Sequence, residues 1–149
     1  MISIMDTTNE KDLLNYIRQN TEMGIDGIDM IFDYVKSEEF KSVLSKQKSE
    51  YKKYYSDADS LLRKKGGEPE EISAIAKVST TVMGKMKNLT DREDSDYAED
   101  MIKGTSMGIS KLIKHIHNYC GESNSDALSL GEKLLDTEEA NLEDIKRFL

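Results

Sequence analysis

The side chains in this chain that could do chemistry together are few: Glu50, Glu138, His115, His117 and Cys120. Two glutamates carried on different long helical stretches suggest a dinuclear iron or manganese centre. In a helical bundle such a centre takes one Glu from each of two helices and a Glu-x-x-His from each of the other two, because two cations need several oxygens and imidazoles aimed at one point. Here the corresponding runs read Glu50-x-x-Lys53 and Glu138-x-x-Asn141, so both histidine positions are replaced, and a lysine there repels a cation. In the first helical stretch the inward positions at the matching level are Thr21, Gly24 and Ile25, with Glu22 and Asp26 turned aside, and in the third the place is Thr105. At most two of the six ligands survive. Glu50 and Glu138 are thus the remaining metal candidates, and no metal or other cofactor is expected; iron or manganese enters only if these two are completed by water or another chain.

The other chemical groups do not combine. His115 and His117 are two apart on a helix, point in different directions and cannot chelate one ion together. His115 is expected at a helix edge and His117 in solvent. Cys120 sits at a helix end, where the dipole disfavours a thiolate, and has no neighbouring base. Tyr51, Tyr54 and Tyr55 read as core and core-edge packing. The acidic row Glu22, Asp26, Asp29 and Asp33 lacks the enclosing oxygens of a cation site and reads as a solvated face. No phosphate loop, nucleophile triad or paired-cysteine motif is present, and Gly66-Gly67 follows a helix, which suits a cap. No catalytic residue is assigned.

Composition sets the class. A net charge of −8 over 149 residues excludes the concentrated basic face that nucleic acid requires, and the run from Lys46 to Lys53 is diluted by Gln47, Ser49, Glu50 and Tyr51. One cysteine makes no internal disulfide, and no apolar run approaches the ~20 residues of a membrane span, so a cytoplasmic protein is expected. With one proline and 34% charged residues, helix is favoured over sheet.

Periodicity then places four long helices at about 8–36, 38–65, 93–120 and 124–148, after a flexible 1–6 and within a single domain over 7–149. Thr7-x-x-Glu10 and Thr90-x-x-Glu93 read as capping boxes, while Ser37, and Ser123 or Ser125, read as N-caps. The first stripe is Leu13, Leu14, Ile17, Thr21, Gly24, Ile25, Ile28, Ile31, Phe32 and Val35; the second runs from Phe40 through Leu44, Gln47, Tyr51 and Ala58 to Leu62. The third runs from Ala98 through Met101, Gly108 and Leu112 to Tyr119, and the fourth from Ala127 through Leu134, Glu138, Leu142 and Ile145 to Leu149. A thinner stripe from Ile72 to Leu89, after Pro69, predicts a short crossover helix at about 69–89. The fold class is all-α: an antiparallel four-helix bundle with one long helical crossover between helices 2 and 3, which is the ferritin-like connectivity.

The Gly24-x-x-Gly27 pair, the segment Phe40 to Leu62 followed by Lys64-Lys65-Gly66-Gly67-Glu68-Pro69-Glu70, and Gly104 together resemble a bacterial family of ferritin-like four-helix-bundle domains of unknown function. The resemblance spans nearly the whole chain, rests most on the GGEP turn, and implies a fold without implying an activity. Two functions remain. One is a non-catalytic bundle acting through a homo-oligomer, such as a dimer, or a protein partner, with Gly24, Gly27, Gly104 and Gly108 permitting close helix approach. The other is a degenerate metal or redox protein using Glu50 and Glu138. A small-molecule pocket near the crossover is a further possibility on which the sequence is silent.

Overall fold

The computed structural model describes residues 8–66 and 92–149. The expected flexible segment 1–6, the crossover helix at 69–89, Thr90 and the Gly67 to Glu70 part of the turn lie outside the described residues. Those described form four α-helices: α1 (Glu10–Ile31), α2 (Glu38–Lys64), α3 (Asp94–His117) and α4 (Asp126–Lys146). Among them no strand occurs, and the β-type pairing found is an isolated parallel bridge between Thr8 and Tyr119.

The helix starts follow local hydrogen-bond chemistry, and two differ from the sequence reading. α1 is capped by Asn9, not Thr7: the Asn9 side chain accepts the Asp12 N–H at 2.8 Å and the Asp12 carboxylate accepts the Asn9 N–H at 3.2 Å. Thr8 is drawn away into the bridge, where its N–H donates to the Asn118 carbonyl and its carbonyl accepts the Cys120 N–H, each at 2.9 Å. At α3 the N-cap is Glu93, whose N–H donates to the Asp96 carboxylate at 2.9 Å, so the box lies three residues later than Thr90-x-x-Glu93. Ser37 and Ser125 cap α2 and α4 by accepting the Phe40 and Leu128 N–H groups. Gly66 follows α2 with φ +71°, a left-handed backbone that glycine adopts without strain.

α1 is also shorter than its apolar stripe. After Ile31 the chain tightens into a 3₁₀ turn at Phe32–Tyr34, and Val35 is extended. The Asp94 carboxylate holds this corner by accepting the Lys36 and Ser37 N–H groups, each at 2.9 Å, which fixes the start of α3 against the α1–α2 link.

Cross-helix pairs give the directions. Arg18 meets Asp59 while Asp29 meets Lys48, so α1 and α2 run antiparallel. Tyr16 reaches Gly108 while Lys36 meets Asp94, so α1 and α3 also oppose. Gln47 bonds Asn141 while Tyr54 meets Thr137, which opposes α2 and α4. Tyr119 bonds Ser125 at the short α3–α4 corner. Going round the bundle the order is α1, α2, α4, α3, with α1 and α4 also in contact. Because α2 and α3 share one direction, Gly66 and Arg92 lie at opposite ends of the bundle.

The shared core is built from Leu13, Leu14, Ile17, Ile28 and Ile31 of α1, Phe40, Leu44, Tyr51, Ala58 and Leu62 of α2, Tyr97, Ala98, Met101 and Leu112 of α3, and Ala127, Leu130, Leu134 and Ile145 of α4. These are the three-four stripes, and their burial is what makes separate amphipathic helices one structure. The α4 phase differs from the reading at two places: Asn141 is buried where Leu142 is half-buried, and Leu149 is exposed because α4 ends at Lys146. Phe148 takes the terminal packing role, stacking on Phe40 at 4.4 Å.

Candidate functional site

Midway along the bundle the core is interrupted by a polar layer built from side chains of α1, α2 and α4 and the Gly108 carbonyl of α3. Its centre is Glu138 of α4, only 2% exposed and thus the buried carboxylate among the described residues. From α1 come Asn20, whose amide lies with Glu138 over the bare Gly108 backbone, and Tyr16 one turn earlier. The Tyr16 hydroxyl and the Asn20 Nδ2 both donate to the Gly108 carbonyl of α3, each at 3.3 Å. From α2 come Tyr51 and Gln47: Asn141 Nδ2 donates to the Tyr51 hydroxyl at 3.3 Å, and Gln47 Nε2 donates to the Asn141 carbonyl at 3.2 Å.

Two glycines open the space for this layer. A β-carbon at Gly108 would lie 3.2 Å from the Asn20 amide nitrogen and 3.4 Å from Glu138 Oε2, so the bare α3 backbone lets both side chains reach across. A β-carbon at Gly24 would lie 2.9 Å from two carbons of the Tyr51 ring, so the missing side chain lets the ring approach the α1 backbone. Gly24 and Gly108, read in sequence as permitting close helix approach, receive side chains from other helices of their own chain. Gly104 meets nothing within 4 Å and remains open.

The layer is electrostatically unbalanced. Burial pushes the Glu138 carboxyl up to about 8, with the Asn20 hydrogen bond opposing. Burial, with the Glu138 charge adding to it, also pushes the Tyr16 and Tyr51 hydroxyls well above their ordinary value. Glu138 Oε1 and Gln47 Oε1 are buried and find no hydrogen-bond partner among the described residues.

The structure gives Glu50 different surroundings. It is half-buried, and its carboxyl is pushed up first by burial, then opposed by Lys46 and reinforced by Asp144 of α4. Glu138 answers instead to its burial and Asn20. Among the described residues no three of His, Cys, Asp and Glu converge in a way that could hold a metal ion. At the level where two cations would sit, the donors beside Glu138 are amides and phenols pushed away from ionisation. That set does not fit a dinuclear centre, and no chemistry is derived through one.

The remaining groups separate. His115 is half-buried, stacks on Tyr16 at 4.1 Å between ring centroids, and places Nδ1 3.4 Å from the Thr8 hydroxyl. Burial pushes its pKa down, with Asp12 opposing, which favours the neutral ring. His117 is exposed, as is Cys120, whose thiol lies 3.4 Å from the Thr8 carbonyl. Of the tyrosine cluster, Tyr51 enters the layer, Tyr54 bonds Thr137 at 2.7 Å, and Tyr55 accepts from Arg18 at 2.9 Å. Asp26, Asp29 and Asp33 face solvent, with Asp29 paired to Lys48.

No family model, curated protein or solved structure matches the chain. Its function is therefore argued from the site. Sequence reasoning singled out Glu138 but missed Tyr16, Asn20 and Arg18. The available signal was the four-residue spacing from Tyr16 to Asn20, which puts both on one edge of the α1 stripe. Arg18 sits in the interior through the apolar stem of its side chain and its ion pair with Asp59.

Proposed function

We propose that this chain is a ferritin-like bundle that has no catalytic centre and acts through association, either with a second copy as a dimer or with another protein, in the cytoplasm. The observation that carries the reading is the mid-bundle layer itself: one carboxyl among two phenols and three amides, hydrogen-bonded so as to tie four helices together. The family resemblance is supported by the shared direction of α2 and α3, which the ferritin-like connectivity requires. No described helix is long and apolar enough to cross a membrane. An association role is supported by Met30, Tyr34 and Met107, large apolar side chains exposed on α1, the following 3₁₀ turn and α3, and by the open face at Gly104.

Multi-angle light scattering over a range of protein concentrations tests this reading. A dimer that dissociates on dilution, and that Met107→Glu weakens, is expected. A monomer at every concentration, with no partner retained by the immobilised chain, would contradict it. The metal or redox reading on Glu50 and Glu138 has no comparable support, because among the described residues no three of His, Cys, Asp and Glu converge where an ion could be held.

A further inference from the structure

Glu138 stands apart in how little the fold does for its charge. A carboxylate anion accepts at about four sites, and deep burial without donors is costly. The groups facing it are Tyr16 and Asn20 from α1, Tyr51 from α2, and the Gly108 backbone from α3, with Asn141 one turn along α4. None is a cation. The Tyr16 hydroxyl and the Asn20 amide donate to the Gly108 carbonyl, and the Asn141 amide donates to Tyr51. One carboxyl oxygen, Oε1, has no donor among the described residues. A neutral acid satisfies this environment better: protonation removes a buried charge that no cation balances and leaves one fewer lone pair to serve.

We propose that the layer is a proton-operated latch, in which the protonated Glu138 carboxyl holds α4 against α1 and α3, and release of that proton to solvent loosens the middle of the bundle. The step is an acid–base exchange with water or buffer and makes no other bond. Burial, which pushes this carboxyl up to about 8, puts the change just above neutrality, where a small rise in pH acts on it. Tyr16 and Tyr51 remain un-ionised over the same interval because burial pushes both hydroxyls upward. His115, which stacks on Tyr16, is pushed the other way by burial and is neutral before the latch opens. The device belongs to the bundle whether or not the chain associates.

Carbon-detected NMR titration of the Glu138 side-chain carboxyl, read together with amide hydrogen exchange over Leu134 to Leu142, tests the latch on the unaltered chain. The carboxyl is expected to titrate between about pH 7 and 9. Beyond the ordinary base dependence, exchange in that α4 stretch is expected to quicken at least about tenfold over the same interval, and Glu138→Gln is expected to remove the excess. A carboxyl that titrates below about pH 5.5 overturns the proposal whether or not the variant folds. So does an exchange excess that persists unchanged in Glu138→Gln.

Discussion

A carboxyl surrounded by amides, phenols and hydrocarbon couples folding to pH with a sign that can be worked out. Glu138 moves from its ordinary 4.5 when unfolded to about 8 when folded, so folding takes up a proton between those values. Its favourable contribution is complete below about pH 4.5 and is lost as pH rises through about 8. Glu138→Gln, neutral at every pH, should therefore gain on the parent chain in thermal melts from pH 5 to pH 9, by a few kcal/mol at the alkaline end. A constant difference between the two would show that this carboxyl is solvated. The glycines make a second comparison. Gly24→Ala drives a β-carbon into the buried Tyr51 ring and should cost about 1–3 kcal/mol despite better helix propensity, whereas Gly104→Ala meets open space and should gain up to about 1 kcal/mol. Urea unfolding of the two variants measures both. Glu138 was visible in the sequence because it breaks an apolar stripe. Asn20 and Tyr16 were not, because a polar residue at a stripe's edge reads the same whether it faces solvent or a partner helix.

At the scale of elements, periodicity was enough to place the four described helices, and the ends needed chemistry that sequence leaves ambiguous. Thr7, Thr8 and Asn9 can each cap a helix; Asn9 does so because Asp12 stands three residues on and because Thr8 is held in the bridge to Tyr119, just past α3. The last turn of α1 was over-read for a related reason: Phe32 and Val35 continue the apolar stripe, but the Asp94 carboxylate captures the Lys36 and Ser37 N–H groups from a position 57 residues away from Ser37. Such a long-range cap is invisible to a local window. Ser125 does two jobs at once, accepting the Leu128 N–H and the Tyr119 hydroxyl. Ser125→Ala should therefore cost about 1–2 kcal/mol, at the upper end for a lost N-cap, as read from the denaturant midpoint. Leu44, fully buried on α2, checks the register: Leu44→Asp places an unpaired charge in the core and should lower stability by several kcal/mol, and an unchanged melt would show the helix is turned otherwise.

For the molecule as a whole, the all-α class and the helix directions follow from four apolar stripes and two short corners, while the middle of the bundle holds its buried polar groups. There Asn20, Tyr16 and Tyr51 stand about one acid, with Gln47 and Asn141 beyond, and the hydrogen bonds of the layer run from helix to helix. This chemistry fixes register and senses protons, and it provides few ligands for a cation. The measurement that tests this account most directly is a metal titration of the chain, purified without chelators, with iron(II) and manganese(II) under anaerobic conditions, followed calorimetrically and by elemental analysis. Less than about a tenth of an equivalent is expected to be retained. Binding of roughly two equivalents, lost when Glu138 is replaced by Gln, would contradict it.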